Sequence, residues 1–313
     1  MTIVFKVSNN VKKMMMDYYQ DLRVPKTPPY ALFQANEGGT IITLYNSSKV
    51  VFQGISADID ANMWIDQELH LNNRNIRKEI ELENKKKEDK KKDKLDYRYY
   101  NMSTVGSDEV GTGDYFGPIV VTASFVPSNK VLELTDLGVR DSKKLTDEKM
   151  LKIGPELIKN FKHVTIILNN KSYNEYQAKG YNMNKIKAIL HNKVLTELLK
   201  EDIKYEKIIV DQFVYPKKYY EHIKEAKEKT TNITFLTHAE DVCLSVAVSS
   251  IISRYIFLKE MDKLSKELKT NIPKGASTLV DEVGKKILDK YGIEKLKEIT
   301  KYNFKNTAKI KGE

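Results

Sequence analysis

The sequence predicts an α/β protein in which two domains are joined by a charged linker, and three observations support this organisation. Short apolar runs of strand length alternate with longer helical patterns along most of the chain. The length of 313 residues is sufficient for two domains. Between them, residues 85–94 contain seven lysines and three acids but no glycine or proline, a composition typical of a solvated segment.

The first domain, residues 1–71, is predicted to be a small α/β unit with a curved antiparallel sheet and helices on one side. Its first strand follows from the alternation of Ile3, Phe5 and Val7. Prolines end the helix that follows, and polar turn sequences separate the later strands. The other face of this sheet would be free to contact a partner. The expected elements are a strand at 2–8, a helix at 11–22, strands at 30–35, 41–45 and 50–53, and a helix ending near 71.

Residues 72–100 are predicted to form the linker. Pairs such as Glu81/Lys85 and Glu88/Lys92 have the spacing that supports a helix, and we find no apolar stripe to bury. The segment is therefore expected to be solvated and partly helical, serving either as a bare spacer or as a contact to nucleic acid.

The larger domain, residues 101–313, is predicted to contain a mixed sheet with helices packed around it. Strands alternate with helices in this part of the chain, and that order is typical of such an architecture. The strands are expected at 119–125, 164–168 and 208–210. The helices are expected at 146–160, 183–200, 217–227, 241–268, 278–291 and 293–301.

The overall charge narrows the class of partner. A net charge of +10 and a pI near 9.2 indicate that the binding partner is nucleic acid or an anionic membrane surface, unless the chain is simply rich in lysine. The longest apolar tract, 242–252, holds three serines and is too short to cross a bilayer. The single cysteine, Cys243, cannot form an internal disulfide and is expected to be buried. We expect a soluble, monomeric protein of the reducing cytoplasm that does not bind a membrane.

Two adjacent acids, Asp108 and Glu109, stand where an apolar strand should begin, next to the loop Gly111-Thr112-Gly113. Neighbouring side chains of a regular strand point to opposite faces. The two acids could therefore share one site only at a strand end or at a kink, and the glycines Gly111 and Gly113 would supply the freedom for one. Taken alone, the pair is equally compatible with an ordinary charged turn.

Two further acidic positions fall where α/β proteins often place functional groups. Asp211 follows the apolar run 208–210, at the expected tip of a buried strand, although it could also be a turn or helix-capping residue. Glu240 or Asp241 opens a helix rich in small residues, where an acid also complements the helix dipole. Carboxylate oxygens in such a set suit Mg²⁺ or Mn²⁺.

The remaining polar cluster is Asp141-Ser142-Lys143-Lys144-Leu145. A lysine there could neutralise a phosphate, whereas Ser142 or Thr146 could equally cap the next helix. His238 could shuttle protons, but a lone histidine is more often structural.

Four motifs, in order, carry a resemblance to the type 2 ribonucleases H. They are Asp108-Glu109-Val110-Gly111-Thr112-Gly113-Asp114-Tyr115-Phe116-Gly117-Pro118, Asp141-Ser142-Lys143-Lys144-Leu145, Ile209-Val210-Asp211-Gln212-Phe213, and Ala247-Val248-Ser249-Ser250-Ile251-Ile252-Ser253-Arg254. The resemblance covers essentially all of 101–313. The first 71 residues resemble the TATA-box-binding-protein-like domain found in the ribonuclease HIII branch. The loop reads Gly-Thr-Gly rather than the Gly-Arg-Gly usual in ribonuclease HII, which also favours that branch.

The resemblance implies a ribonuclease H-like sheet and endonucleolytic cleavage of the RNA strand of RNA–DNA hybrids, leaving 5′-phosphate and 3′-hydroxyl ends. It implies two Mg²⁺ or Mn²⁺ ions, and a first domain that grips the hybrid. The fourth acid falls on Glu240, with Asp241 one residue away as the fallback. The residues that the resemblance implicates are Asp108, Glu109, Asp211 and Glu240 in catalysis and metal binding, and Gly111, Thr112, Gly113, Ser142, Lys143 and Lys144 in substrate binding.

Two other functions stay open on the sequence. The protein could nick DNA at single embedded ribonucleotides, as ribonuclease HII does, or it could bind hybrids without cleaving them.

Overall fold

The structure is a computed structural model that describes residues 2–54, 56–82, 97–139 and 145–312. The chain divides into two compact units, Met1–Lys94 and Leu95–Glu313, and the division falls inside the predicted linker. The lysine-rich run 85–94 lies outside the described residues.

The first unit contains a four-stranded sheet that is antiparallel, as the sequence predicts, and the structure gives its strand order as β1-β4-β3-β2. Residues 76–82 are helical and contribute Ile76 to its core, although composition assigns them to the linker. The elements are β1 (Thr2–Lys6), α1 (Asn9–Tyr18), β2 (Ala31–Glu37), β3 (Thr40–Tyr45), β4 (Lys49–Gln53), α2 (Ala57–Asn72) and α3 (76–82).

One face of this sheet is buried against the helices. Phe5, Phe33 and Phe52 project from the strands and pack with side chains of α1 and α2. The indole nitrogen of Trp64 donates to the Tyr19 hydroxyl at 2.9 Å. Burying these large aromatic side chains is the main stabilising contribution, and it leaves the opposite sheet face without a helix packed on it among the described residues of this unit.

The second unit is built on a five-stranded mixed sheet in the order β7-β6-β5-β8-β9. Strands β5, β6 and β7 pair antiparallel, whereas β5, β8 and β9 pair parallel. The predicted fold class is confirmed. The elements are β5 (Thr104–Val110), β6 (Ile119–Val126), α4 (Val131–Asp136), α5 (Asp147–Asn160), β7 (His163–Leu168), α6 (Asn170–Ala178), α7 (Met183–Leu198), β8 (Lys207–Asp211), α8 (Pro216–His222), β9 (Ile233–Leu236), α9 (Leu244–Leu268), α10 (Thr278–Ile299) and α11 (Lys305–Lys311).

Several boundaries differ from the prediction. Strands β5 and β9 and helices α4, α6 and α11 have no counterpart in the expected elements. The helix expected at 217–227 ends already at His222. Helix α10 is interrupted at Gly292, whose φ of 79° is non-helical, so the two helices predicted at 278–291 and 293–301 correspond to its two parts.

Helices α9 and α7 cover opposite faces of the central strand β5. On the α9 side the approach is very close, because a Cβ added to Gly106 would lie 2.5 Å from both the Ser245 Oγ and the Val246 nitrogen. The Ser249 hydroxyl donates to the Gly106 carbonyl at 2.8 Å. Such tight packing fixes the end of β5, and with it the acids that follow Gly106.

Candidate active site

The acid pair lies within β5, at its C-terminal end. Asp108 is in register with Thr122 of β6, and Glu109 with Val121. The strand continues regularly through both acids, so of the two expected arrangements, a strand end or a kink, the structure shows the strand end. Because successive side chains leave opposite faces of a strand, Asp108 points to the α9 side and Glu109 to the α7 side.

Asp108 is surrounded by hydroxyls, a backbone amide and other acids. Its Oδ1 accepts from the Glu109 backbone nitrogen at 2.8 Å, and its side chain is hydrogen-bonded to Ser250. Burial raises the pKa of Asp108 well above its usual value, and the negative charges of Glu109 and Asp211 raise it further. The ionised form of this acid is unfavourable until a cation compensates it.

Glu109 lies in the opposite environment. Lys187 forms an ion pair with its Oε1, and His191 Nε2 is 2.8 Å from its Oε2. The other ring nitrogen of His191 is 2.8 Å from the Ser107 hydroxyl. Burial alone would raise the pKa of Glu109, but the hydrogen bond and charge of His191, together with Lys187, outweigh it, so that the pKa is lowered.

Asp211 is the last residue of β8, as the sequence predicts. The parallel register that pairs Ser107 with Val210 brings the next residues of the two strands, Asp108 and Asp211, side by side. The Asp211 Oδ1 accepts from the Ala239 backbone nitrogen at 2.8 Å. This hydrogen bond ties the tip of β8 to the segment that carries the fourth acid.

That segment is a 3₁₀ turn, Ala239–Asp241, separate from α9, which begins only at Leu244. His238, Glu240 and Asp241 each offer a ligand atom within 4.8 Å of the others. Glu240 also lines a cavity of about 250 Å³ together with Ser250, the hydrogen-bond partner of Asp108. The structure thus holds Glu240 and Asp241 next to the tip of β8, and both remain candidates for the fourth acid.

The two glycines of the Gly-Thr-Gly loop have different roles. Gly111 has a φ of +96°, and a Cβ on it would lie 2.2 Å from the Pro118 carbonyl oxygen, so only glycine fits. Gly113 faces open space, where a side chain would meet no described atom within 4 Å. Gly113 is exposed and Thr112 half-buried, so both are accessible to a ligand.

The predicted substrate contacts Ser142, Lys143 and Lys144 lie outside the described residues. Just after them, Leu145 lines the cavity beside Glu240. Thr146 caps α5, because its hydroxyl accepts from the Lys149 nitrogen at 3.3 Å. Of the two capping candidates, the described structure assigns this role to Thr146.

Sequence reasoning missed Lys187 and His191. They lie four residues apart on α7 and are buried, with relative exposures of 8% and 0%. The available signal was their position among Ile186, Leu190 and Val194, the apolar residues of the same helix. A buried lysine on a helix face requires an anionic partner, and a histidine one turn away can hydrogen-bond to the same group.

The donor set suits a hard divalent cation. Asp108, Asp211 and Glu240 present carboxylate oxygens, which Mg²⁺ and Mn²⁺ prefer. The raised pKa of Asp108, caused by burial and by neighbouring acids, marks a concentration of negative charge that such an ion would relieve. The residues present therefore fit a divalent metal site.

No helix in the described ranges has both the length and the apolarity needed to cross a membrane.

Comparisons with known proteins match almost the whole chain. The family model described as ribonuclease HII matches residues 105–307, and a model described as a domain of unknown function matches residues 2–75. The ribonuclease HIII of Bacillus licheniformis is 40% identical, over 98% of this chain and 97% of that protein. The ribonuclease HIII of Bacillus pumilus is 41% identical, over 99% and 98%.

Solved structures agree with these matches. A crystal structure of Bst-RNase HIII in complex with Mn²⁺ is similar with a TM-score of 0.67 and 32% identity, over 100% of this chain and 98% of that one. The ribonuclease H2 of Pyrococcus horikoshii OT3 is similar with a TM-score of 0.57 and 25% identity, over 67% of this chain and 98% of that one.

Proposed function

This chain belongs to the ribonuclease HIII family, and from that premise we propose that it cleaves the RNA strand of RNA–DNA hybrids at the carboxylate site of the second unit. The observation that carries the proposal is the parallel register of β5 and β8, which sets Asp108 beside Asp211. The hydrogen bond from the Ala239 nitrogen to Asp211 supports the assignment of the next residue, Glu240, to the same site.

The four acids would hold two divalent ions, Mg²⁺ or Mn²⁺. When bound, such ions polarise the phosphodiester and activate water for attack. The side chains of Asp108 and Asp211 would supply negative charge from adjacent strands. Glu109, next to Asp108, and Glu240, next to the Ala239 that is hydrogen-bonded to Asp211, would add to it. Water adds to phosphorus, the bond to the 3′ oxygen breaks, and the products carry 5′-phosphate and 3′-hydroxyl ends.

The Gly-Thr-Gly loop would recognise the RNA strand. Backbone amides near the exposed Gly113 can approach a ribose, because this residue has no side chain to intervene. The 2′-hydroxyl is the group that distinguishes RNA from DNA at such a site. Lys143 and Lys144, with Ser142, are proposed to contact phosphates.

The test is cleavage of labelled RNA–DNA hybrid, RNA duplex and DNA duplex with Mg²⁺ or Mn²⁺. We expect cleavage of the hybrid alone, and a loss of about 10³-fold or more for Asp211→Asn with hybrid affinity retained. Asp262→Asn is the matched control, because Asp262 lies on the surface of α9 in an ion pair with Lys266. Equal rates for wild type and Asp211→Asn would place the active site elsewhere.

Two comparisons resolve the remaining alternatives. A duplex with one embedded ribonucleotide, set against a hybrid with at least four, tests for activity of the ribonuclease HII kind. Glu240→Gln and Asp241→Asn, assayed side by side, identify the fourth acid. We expect the larger loss for Glu240→Gln.

A monomeric state and a cytoplasmic location remain predictions from the sequence.

The first unit is proposed to grip the hybrid with the open face of its sheet. Lys6 of β1 and Lys49 of β4 are directly paired across the two strands, and both point away from the core formed by Phe5 and Phe52. Like charges directly opposite each other are unfavourable in isolation. A phosphate backbone lying on this face would compensate them.

The lysine pair can be tested without truncating the chain. Lys6→Met/Lys49→Met is expected to raise KM for the hybrid several-fold and to leave single-turnover chemistry unchanged. Lys13→Met/Lys78→Met is the control of equal charge, since these exposed lysines lie on the helices α1 and α3. Equal KM values for the two double variants would contradict the proposed role of the sheet face.

A further inference from the structure

The carboxylate of Glu109 is held at both of its oxygens by side chains of α7. Lys187 contacts Oε1, and His191 contacts Oε2 at 2.8 Å. A carboxylate engaged in this way has its strongest hydrogen-bond acceptor positions occupied. Each oxygen keeps a second lone pair for a metal ion, but an ion bound there would lie beside the contacts already made to α7.

The two contacts are not equally fixed. The imidazole of His191 is anchored at its second nitrogen by the Ser107 hydroxyl at 2.8 Å, and its ring stacks on Phe213 with a centroid distance of 5.2 Å. The Lys187 ammonium lies 4.1 Å from the centroid of the same Phe213 ring, at the end of a flexible four-carbon stem. Lys187 is therefore the contact that can move.

Charge makes the lysine and a metal ion competitors. Lys187 compensates Glu109, whose neighbour Asp108 is itself close to Asp211. A divalent cation bound to Glu109 would lie close to the Lys187 ammonium, and like charges at short range in a buried site repel strongly. The lysine and the metal ion cannot both have their most favourable contact with this carboxylate.

We propose that Lys187 is the resident counter-ion of Glu109 in the metal-free protein, and that a divalent cation binds by exchanging with it. The lysine keeps the empty site stable and lowers its affinity for metal. This inference rests on the proposed function, because it requires Glu109 to be a metal ligand.

The test is thermal unfolding of the full-length protein, without substrate, over a titration of MnCl₂. Lys187→Met is expected to have a lower Tm than wild type in the absence of metal, because Glu109 loses its compensating charge. The Mn²⁺ concentration at which its Tm begins to rise is expected to be at least about tenfold lower than for wild type, because the competitor is gone and Tm rises only once the metal concentration exceeds the dissociation constant. Lys193→Met on the exposed side of α7 is the control of equal charge.

Lys187→Arg keeps the charge and tests the same idea if the methionine variant does not fold. The Mn²⁺ concentration at which its Tm begins to rise should stay within about twofold of the wild-type value. A shift of tenfold in Lys187→Arg, or an unchanged or higher onset concentration in Lys187→Met, would overturn the exchange.

Asp211→Asn separates this inference from the proposed function. If its Tm responds to Mn²⁺ as the wild-type Tm does, the metal site itself is misplaced and both proposals fail. If Asp211→Asn loses the response while Lys187→Met titrates like wild type, only the exchange of Lys187 is wrong.

Discussion

The two faces of strand β5 carry adjacent acids in opposite electrostatic environments. On the α9 face, Asp108 meets hydroxyls and other carboxylates, and its pKa is raised. On the α7 face, Glu109 meets Lys187 and His191, and its pKa is lowered. The two residues are consecutive in the chain and similarly buried, so the difference comes from the helices that cover the two faces.

The comparison shows that this fold compensates only one of the two acids from within. Glu109 obtains its counter-charge from α7, whereas burial and neighbouring acids make the charged form of Asp108 unfavourable. If the proposed function holds, Asp108 is the acid of the pair whose charge a metal ion would compensate.

The largest effect is expected for Glu109→Gln. This change leaves Lys187 and His191 buried without their anionic partner, and breaking a buried pair on one side costs about 3–5 kcal/mol. Urea unfolding in EDTA measures the loss, with Glu197→Gln as a control at an exposed ion pair of α7. A loss below about 1 kcal/mol would mean that the α7 face does not compensate Glu109 as described.

Close packing against α9 also distinguishes this face of β5. The variant Gly106→Ala tests how tight that packing is. The added Cβ would lie 2.5 Å from atoms of Ser245 and Val246, and such overpacking costs about 1–3 kcal/mol. Gly113→Ala is the matched control, because its Cβ points into open space, and it should change the free energy of unfolding by no more than about 0.5 kcal/mol. Similar values for the two variants in urea unfolding would show that β5 and α9 can separate at little cost.

These residues also show what the sequence could and could not reveal. Asp211 was found because an apolar run immediately precedes it. This signal is local and can be recognised in the sequence alone. Strand β5 was not found, because Ser107 and Glu109 have the polarity of an exposed turn. They can lie inside the protein because His191, more than eighty positions away, forms hydrogen bonds with both side chains.

The same reasoning explains why the sequence did not reveal the position of the acid at 240. Sequence proximity to α9 suggested that it begins that helix, whereas a separate 3₁₀ turn holds it, tied to β8 through Ala239. Local propensity does not encode a hydrogen bond between the tips of two distant elements. Lys187 and His191 were overlooked for a related reason. The role of a polar residue inside an amphipathic helix can be assigned only once its partner is known.

A smaller effect of opposite sign is expected for Asp108→Asn. The fold disfavours the charged form of Asp108, so a neutral amide should raise the free energy of unfolding of the metal-free protein by about 1–2 kcal/mol at pH 7.5. Urea unfolding in EDTA, with Asp262→Asn as the surface control, measures the gain. A destabilised Asp108→Asn would show that the α9 face compensates its acid after all.

The smallest effect concerns a second buried lysine, which sharpens the contrast with Lys187. Lys301 is fully buried, and its ammonium donates to the carbonyls of Asp114 and Gly117, at 2.7 Å each, rather than to a carboxylate. Burial lowers the pKa of Lys301 to about 7, against a smaller opposing contribution from the charge of Asp114. A neutral amine still has two hydrogens for the two carbonyls.

The sign of the pH dependence follows from this lowered pKa. Between pH 7 and the unfolded value near 10.5, the folded state binds fewer protons at Lys301 than the unfolded state, so stability increases with pH across that window. From pH 7 to pH 8 the gain should be about 1 kcal/mol. In Lys301→Met this contribution should disappear from unfolding curves recorded at the two pH values. An identical pH dependence in wild type and variant would mean that Lys301 remains charged in the fold, and that two carbonyls compensate an ammonium as well as Glu109 does.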